Sequence, residues 1–259
     1  DEDFVSKLFV ANTHDTLLCF SSYGKVYWIK VYRLPRGGRN AKGRPIVNLL
    51  PLEKDERIQA VLPVKEFNDD QFIFMATETG SVKKTKLSAY SRPMKSGIKA
   101  IKLRDGDRVV NAEITDGTKE IMLFSNSGKS IRFKESDARP MGRVSQGVRG
   151  MRIDKNQKII SLVVLEEGNI LVATENGYGK QTLTDEFSIQ KRGGKGVIAI
   201  QTSDRNGNLI GTKQVSTGDE VMFISTSGNL IRTRTDDISI IGRNTQGVRL
   251  IRLSEDDKL

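Results

Sequence analysis

The feature that most constrains this chain is a pattern that occurs five times along it. In each copy an apolar run ends at a Ser or Thr, and a glycine follows three residues later. These first glycines are Gly24, Gly80, Gly128, Gly177 and Gly228. A second glycine follows each of them after 17 or 19 residues, at Gly43, Gly97, Gly147, Gly196 and Gly247. The copies are spaced by 48 to 56 residues, a period typical of propeller blades and other repeat arrays.

Each copy is predicted to contain four β-strands. The first is short and continuously apolar, as at 121–124, which suits a strand buried on both faces. A tight turn at the first glycine leads to a second strand, and a long loop of roughly ten residues then leads to the second glycine. The third strand leaves that glycine with apolar side chains inward and cations outward, as at 98–103, and a short acidic turn leads to a fourth strand, such as 159–164. We therefore expect an all-β, propeller-like fold of four-stranded repeats.

We expect one domain over residues 1–259, built from five repeats. The approximate repeat boundaries are 14–67, 68–117, 118–167, 168–217 and 218–259. The segment 3–10 has the pattern of a fourth strand, so residues 1–13 are interpreted as the last strand of a preceding repeat. The fifth repeat reaches Leu259 where its fourth strand would begin, so the chain is interpreted as a segment of a longer array.

The charge of the chain is basic and unevenly distributed. It has 42 Lys and Arg against 32 Asp and Glu, a formal net charge of +10. Every long loop carries Lys or Arg and none carries an acid, whereas acids cluster in the short turns, as at Glu53, Asp55 and Glu56. Cations on repeated loops favour a polyanionic partner such as DNA, RNA or an acidic membrane surface. The single cysteine, Cys19, excludes an internal disulfide and favours a reducing compartment, and no apolar run approaches the ~20 residues of a membrane span.

The fourth long loop is the most distinctive. It contains the heptad Gln190-Lys191-Arg192-Gly193-Gly194-Lys195-Gly196, with three cations and three glycines. The glycines would let the backbone approach a phosphate closely, or would only make the connection flexible. We expect the heptad and the cations of the other long loops to contact DNA. Those other cations are Arg36, Arg39, Lys42, Arg44, Arg92, Lys95, Arg139, Arg143 and Arg243.

A second set of candidate DNA contacts lies on the second strands. Three repeats place cations four and six residues after the first glycine, so that each pair is expected on one outer face of its strand. The pairs are Lys84 and Lys86, Arg132 and Lys134, and Arg232 and Arg234. A solvated face is the alternative interpretation of these residues, and their repeated register is what favours DNA contact.

No set of residues in the sequence predicts an active site. The single histidine, His14, lies in a predicted turn, and no cluster of His, Cys and carboxylates has the spacing of metal ligands. The heptad is not a P-loop, because the order Gly-x-x-x-x-Gly-Lys-Ser/Thr is missing. The tyrosines form no regular stacking platform for single-stranded bases. We therefore expect no catalytic residue, no metal site and no cofactor in this chain.

The heptad and several shorter runs carry a resemblance to a known family. The chain resembles the C-terminal DNA-wrapping domain of bacterial DNA gyrase A, whose box motif is Gln-(Arg/Lys)-Arg-Gly-Gly-(Arg/Lys)-Gly. Residues 190–196 match that motif, and the runs 10–15, 43–52, 133–136 and 242–248 are similar to the family in the same order along the chain. The resemblance covers essentially all 259 residues.

The resemblance implies a β-pinwheel, a propeller-like fold whose blades exchange strands through the long connections. It implies a non-catalytic domain that bends and wraps duplex DNA and presents it to the enzyme core for negative supercoiling. It also implies six repeats in the full domain with the box in the first, whereas the heptad here stands in what would be the fifth. ATP and Mg²⁺ would be used by other parts of the topoisomerase. The implied partners are double-stranded DNA, the rest of DNA gyrase A and DNA gyrase B, for an isolated domain that is monomeric, cytoplasmic and associated with the nucleoid.

Three other interpretations compete with this one. The related wrapping domain of topoisomerase IV shares the chemistry but lacks a good box, so the heptad favours gyrase. A propeller that docks an acidic protein would fit the same charge, although cations in register across repeats favour a long uniform polyanion. A propeller enzyme would need a convergent acid–base set, which the sequence does not show.

Overall fold

The computed structural model of the chain describes residues 9–38, 41–254 and 256–259. Within these residues the chain forms eighteen short strands and six single turns of 3-10 helix, and no α-helix. The prediction of an all-β fold is therefore confirmed. Of the predicted N-terminal strand, residues 1–8 lie outside the described residues, and residues 9–13 are not part of a strand.

Most strands contain five to seven residues, and four contain only two. In chain order they are β1 (Thr16–Ser21), β2 (Lys25–Lys30), β3 (Ile58–Val64), β4 (Phe72–Thr77), β5 (Ser81–Lys86), β6 (Ile98–Lys99), β7 (Val109–Thr115), β8 (Glu120–Ser125), β9 (Lys129–Lys134), β10 (Val148–Arg149), β11 (Ile159–Val164), β12 (Asn169–Thr174), β13 (Tyr178–Thr182), β14 (Val197–Ile198), β15 (Leu209–Val215), β16 (Glu220–Ile224), β17 (Leu230–Arg234) and β18 (Val248–Arg249). The 3-10 turns are Val31–Arg33, Ile46–Asn48, Leu87–Tyr90, Glu135–Asp137, Thr184–Glu186 and Thr235–Asp237.

The strands form four four-stranded sheets and one two-stranded sheet, β16-β17. The four-stranded orders are β3-β1-β2-β6, β10-β5-β4-β7, β11-β8-β9-β14 and β15-β12-β13-β18. In each of these the first strand of a repeat lies between its own fourth and second strands, and a two-residue strand from the following repeat pairs with the second strand. In the first sheet, for example, β6 of the second repeat pairs antiparallel with β2 of the first. The predicted exchange of strands between repeats is therefore confirmed.

The third strands are shorter than predicted. The sequence predicts six-residue runs, as at 98–103, but the structure has two residues in each. The reason is the hairpin of the preceding repeat, because the amides of Ala100 and Ile101 both donate to the carbonyl of Gly24, at 2.8 and 3.2 Å. Ala100 and Ile101 therefore bond to the turn at Gly24, and the strand that begins at Ile98 ends at Lys99.

The tight turns at the first glycines explain the recurring Ser or Thr. All five first glycines have positive φ, between +75° and +88°, a conformation that glycine adopts without strain. The Ser or Thr side chain is buried in every repeat. Its hydroxyl bonds to the backbone of the residue after the glycine in each case, pairing Ser21 with Lys25, Thr77 with Ser81, Ser125 with Lys129, Thr174 with Tyr178 and Ser225 with Asn229. A buried hydroxyl therefore braces each turn.

Two acids of the short turns are structural rather than solvated. Asp107 and Asp257 are buried, and each caps the tight turn of its own repeat. Asp107 accepts hydrogen bonds from the amide and hydroxyl of Thr79, at 3.0 and 2.6 Å. Burial would raise the pKa of Asp257, but hydrogen bonds from the Ser227, Ser225 and Thr226 side chains and from the Ser227 amide hold that pKa well below its usual range.

The described residues divide into two compact units. One contains residues 9–117 with Ala138–Val148, and the other contains Thr118–Asp137 with Arg149–Leu259. Each unit has its own hydrophobic core, to which the first strands of the repeats contribute most. The apolar run 121–124 of β8 is fully buried, as expected for a strand covered on both faces. Cys19 is likewise buried within β1.

Candidate nucleic-acid interface

Three of the long loops begin beside the second strand of the preceding repeat. In each of them one backbone hydrogen bond of 2.7 to 2.9 Å joins the loop to that strand, from Met141 N to Lys84 O, from Gln190 N to Arg132 O, and from Ile241 N to Gln181 O. These bonds fix the point at which each loop leaves the preceding repeat.

Each of these loops ends at its second glycine, where the backbone comes close to the same strand. Gly196 has a φ of +73°, and a Cβ added there would overlap the carbonyl oxygen of Ser130. Gly247 is similar, with a φ of +76°. Within the heptad Gly193 also has positive φ, at +87°, whereas Gly194 does not, and a Cβ on Gly194 would make only ordinary contacts. The conformation of the loop itself therefore requires glycine at 193 and 196.

The three cations of the heptad differ in environment. Lys191 and Lys195 are exposed, whereas Arg192 is half-buried. The Arg192 guanidinium donates from Nε to the carbonyl oxygen of Asp137, at 3.2 Å, and from Nη1 to the carbonyl oxygen of Arg149. The heptad therefore presents two exposed cations on a loop that its arginine attaches to the preceding repeat.

Most other loop cations predicted to contact DNA are exposed. The exposed ones are Arg36, Lys42, Arg44, Arg92, Lys95 and Arg139. Arg143 and Arg243 are half-buried, and Arg39 lies outside the described residues. Among residues 9–38, 41–254 and 256–259, no ion pair joins a loop cation to a carboxylate. The positive charge of the loops is therefore not compensated by ion pairs within this part of the chain.

The cations of the second strands lie in a different environment. The predicted outer face is wrong for Lys84, which is 4% exposed, and for Arg132, whose side chain is 14% exposed and pairs with Glu120 at 2.6 Å. Lys134 is exposed. The other three exposed strand cations have carboxylate partners, with Lys86 beside Asp69, Arg232 beside Glu220 and Arg234 beside Asp237. The strands therefore carry less uncompensated charge than the loops.

Bonds between repeats explain why a long donor recurs four residues after the first glycine. Arg132 donates to the carbonyl oxygens of Thr184 and Phe187, each at 2.9 Å, in and beside the 3-10 turn of the next repeat. Trp28 and Gln181 make the equivalent bonds from their own repeats. Arg132, one of the cations that sequence analysis associated with DNA, therefore contacts the next repeat instead.

A lysine that the sequence analysis did not select lies under the fifth long loop. Lys180, three residues after its first glycine, is fully buried. Its ammonium donates to the carbonyl oxygens of Gly242 and Arg243, at 2.7 and 2.6 Å, and to the Thr245 hydroxyl at 3.0 Å. Burial lowers the pKa of Lys180 to about 8, with the charge of Arg243 acting in the same direction and that of Glu186 opposing it.

A second buried lysine supports the third long loop in the same way. Lys83 donates to the carbonyl oxygen of Arg143 at 2.7 Å and to that of Ala100, and it is fully buried. Burial, with the nearby charge of Arg143, lowers its pKa to about 7. Both supported loops have the sequence Gly-Arg-x-Ser/Thr-Gln-Gly, at 142–147 and 242–247, and a lysine occupies the same strand position before each. This pairing of a loop sequence with a strand lysine is the sequence signal from which the two buried lysines could have been predicted.

Sequence analysis noted the cations after the second glycines but did not select them as site residues. They lie two and five residues after the glycine in three repeats and are exposed: Lys99, Lys102, Arg149, Arg152, Arg249 and Arg252. Their backbone contacts the next loop, because the amide of Lys102 donates to Ser145 O at 3.1 Å and that of Arg152 to Gly194 O at 2.8 Å. Within each unit these cations therefore extend the basic surface of the loops.

In the part of the chain that the structure describes, no group of three or more His, Cys, Asp or Glu side chains could hold a metal ion. The same residues include no helix of the length and apolarity needed to cross a membrane. His14 is exposed in a turn, as predicted.

Comparison with known protein families shows the family of the chain. The family model described as "DNA gyrase C-terminal domain, beta-propeller" matches residues 15–65, 71–116, 119–166, 168–216 and 219–259. The chain belongs to this family. Each matched segment covers one copy of the five-fold sequence pattern, so the family and the repeat describe the same units.

Individual relatives agree with the family. The chain is 53% identical to the DNA gyrase A protein of Escherichia coli and 52% identical to that of Salmonella typhimurium, in each case over 260 residues and 100% of this chain. The match spans 30% of the length of each of those proteins. The gyrase resemblance on which the sequence analysis relied is therefore confirmed.

Two solved structures share the fold. The C-terminal domain of DNA topoisomerase IV matches with a TM-score of 0.86 and 27% identity, over 93% of this chain and 76% of that one. The DNA gyrase A C-terminal domain matches with a TM-score of 0.81 and 28% identity, over 95% of this chain and 81% of that one. These likenesses confirm the β-pinwheel fold class. The two solved structures are about equally similar in sequence, so the family is shown by the family model and by the 52–53% identity to the matching part of DNA gyrase A proteins.

Proposed function

We propose that this chain is a non-catalytic DNA-wrapping domain, which binds duplex DNA through the cations of its long loops and bends it. The observation that carries the proposal is the contrast between loops and strands. Within the described residues the loop cations have no ion-pair partner, whereas most strand cations have a carboxylate beside them. Uncompensated cations that meet phosphates release the counterions of DNA, and that release drives binding.

The proposed binding depends little on base sequence. Contacts to phosphates position a protein on the duplex but do not read its bases. Bending a site of 20–30 bp by 40–90° costs on the order of 1–6 kcal/mol, which contacts distributed along the bend must offset. Cations on five successive loops would contact phosphates at several points along the bent duplex, whereas a single basic patch would contact it at one point only.

The proposed context is a gyrase. The duplex bound here would be presented to the cleavage core for negative supercoiling, with the rest of DNA gyrase A and DNA gyrase B as partners. ATP and Mg²⁺ would act elsewhere in that enzyme, and the whole would work in the cytoplasm at the nucleoid. The support for this context is that DNA gyrase A proteins match all of this chain at 52–53% identity. We also propose that the five repeats act as one domain.

The test is binding of the chain to linear duplex DNA in a gel-shift assay at 50 to 200 mM salt. Six to ten phosphate contacts would lower the affinity by ~10³–10⁵ across that range. Replacing Lys191 and Lys195 together with Gln should reduce the slope of log affinity against log salt by about 2. The matched control replaces Arg232 and Arg234 with Gln, two exposed strand cations with acid partners, and should change the slope less. Absence of binding at 50 mM salt would overturn the proposal and favour a protein-docking role.

A further inference from the structure

We propose that Arg192 is a positioning residue of the heptad, which attaches the loop to the preceding repeat, and that Lys191 and Lys195 are the residues that contact phosphate. The role given to the two lysines rests on the proposed DNA function. The role given to Arg192 concerns the protein without DNA and can be tested separately.

The strongest support is that the same attachment occurs in three loops. In each loop the arginine four residues before the second glycine donates from Nη1 to the carbonyl oxygen two residues after the preceding second glycine. The pairs are Arg143 with Lys99 at 3.1 Å, Arg192 with Arg149, and Arg243 with Ile198 at 3.1 Å. The accepting residue is Lys, Arg or Ile, so the bond depends on backbone position and not on a particular side chain. A contact that recurs in this way belongs to the construction of the repeat.

Backbone bonds hold the heptad on the C-terminal side of Arg192. The amide of Gly193 donates to the carbonyl of Gly150 at 2.7 Å, and the carbonyl of Gly194 accepts from the amide of Arg152 at 2.8 Å. The second of these bonds also recurs in the other two loops. The carbonyl of Ser145 accepts from the amide of Lys102, and the carbonyl of Thr245 accepts from the amide of Gln201. Arg192 therefore completes a set of bonds between the loop and residues 149–152.

The chemistry of the arginine side chain suits this role. A guanidinium offers five N–H donors in a rigid planar fork, and Arg192 uses two different nitrogens for two carbonyl oxygens on Asp137 and Arg149. A lysine carries the same charge at a single point on a flexible stem, so it does not supply the two separate nitrogens, Nε and Nη1, that bond these carbonyls here. Lys191 and Lys195 lie on either side, exposed, and a fixed backbone holds them ready for an anion.

The first experiment measures amide hydrogen exchange in the DNA-free chain for Arg192→Lys, Arg192→Gln and the double variant Lys191→Gln with Lys195→Gln. If Arg192 attaches the loop, both arginine variants will raise exchange at the amides of Gly193 and Arg152 on the order of tenfold. The double lysine variant will leave these amides unchanged, and the amides of β8 serve as an internal reference for global stability. Unchanged exchange at Gly193 and Arg152 in Arg192→Lys would overturn the proposal.

The second experiment measures the salt dependence of duplex binding for the same variants. We expect Arg192→Lys to weaken binding while Lys191→Gln with Lys195→Gln lowers the salt slope by about 2. If Arg192→Lys binds like the parent and Arg192→Gln lowers the slope by about 1, Arg192 is an ordinary phosphate ligand and the proposal is wrong. If the parent chain binds no DNA, the proposed function fails, and the exchange measurement still decides whether Arg192 attaches the loop.

Discussion

The loops 190–196 and 242–247 occupy equivalent positions in neighbouring repeats of one compact unit, yet they are supported differently. Both end at a glycine with positive φ, and both attach to the preceding repeat through an arginine. Under the first loop the strand position three residues after the first glycine holds Ile131, an apolar residue. Under the second loop the same position holds Lys180, whose ammonium bonds to three of the loop residues.

The difference shows two ways of satisfying backbone groups that leave water. Buried carbonyls need hydrogen-bond donors. Each loop accepts an amide bond from the preceding repeat, from Arg152 to Gly194 and from Gln201 to Thr245, and the loop 242–247 also accepts bonds from the buried ammonium of Lys180. Lys191 and Lys195 of the heptad face solvent, while Lys180 adds to the formal charge without adding to the basic surface. The net charge of +10 thus does not measure how much charge DNA would meet.

The largest effect is expected from Lys180→Met, which removes the donor beneath the loop 242–247. Leaving buried acceptors unpaired costs roughly 1–3 kcal/mol each, and the three acceptors here are only partly buried, so we expect the lower end of that range for each and a loss of about 3 kcal/mol in the free energy of unfolding, measured in urea. The matched control is Ile131→Met, a volume-conserving change at the same strand position, which should cost less than about 1.5 kcal/mol. Equal stability of the two variants would mean that Lys180 does not support the loop 242–247 more than Ile131 supports the heptad loop.

A somewhat smaller effect is expected from Gly196→Ala in the heptad. Alanine at this position would have to adopt a positive φ of +73°, and its Cβ would overlap the carbonyl oxygen of Ser130. The backbone costs about 1–2 kcal/mol and the overlap, at the lower end of its range, about 1 kcal/mol, so we expect a loss of about 2–3 kcal/mol in the free energy of unfolding, measured by heat or urea. Gly194→Ala is the control within the same loop and should change stability by less than about 1 kcal/mol. If both substitutions change the free energy of unfolding by the same small amount, the loop does not require glycine at 196, and Gly196 only makes the connection flexible.

The second lysine-supported loop gives a prediction about pH. The pKa of Lys83 is about 7 in the folded chain and near its ordinary value of 10.5 in the unfolded chain. Between these values the unfolded chain binds more protons, so this site makes stability rise as pH increases from 7 towards 10. The contribution is at most about 1.4 kcal/mol per pH unit.

The measurement compares the free energy of unfolding of the parent and Lys83→Met at several pH values between 6.5 and 9. We expect the difference between the two proteins to change with pH in the stated direction, because only the parent carries this titration. Parallel pH profiles would show that Lys83 keeps its ordinary pKa in the fold.

Sequence analysis predicted the repeated framework because its signals are local. The turn glycines, the Ser or Thr before them and the apolar first strands each occupy a few adjacent residues, and the structure has all of them in place. The positions of Lys84, Lys180 and Arg132 were not predictable in the same way. A lysine in a strand is usually solvated, and the acceptors that bury Lys180 lie 62 to 65 residues further along the chain. Only the exchange of strands between repeats brings them together.

The smallest effect is expected at the exposed ion pairs of the second strands. Glu220→Gln with Asp237→Asn removes the partners of Arg232 and Arg234, and exposed pairs contribute only about 0–1 kcal/mol. We expect stability within about 1 kcal/mol of the parent and tighter binding of duplex DNA at low salt, because two cations become uncompensated. Unchanged DNA affinity would mean that the strand cations lie away from the DNA path even when their charge is exposed.

The most direct test of DNA binding by the loops is the reactivity of individual lysines toward acetylation, measured by mass spectrometry with and without duplex DNA. We expect DNA to protect Lys42, Lys95, Lys191 and Lys195, which are exposed on long loops. Lys25 and Lys119, which pair with Glu53 and Glu166, should react equally in both samples. Protection of Lys25 and Lys119 with no change at the loop lysines would place DNA on the other set of turns and would contradict the proposed function.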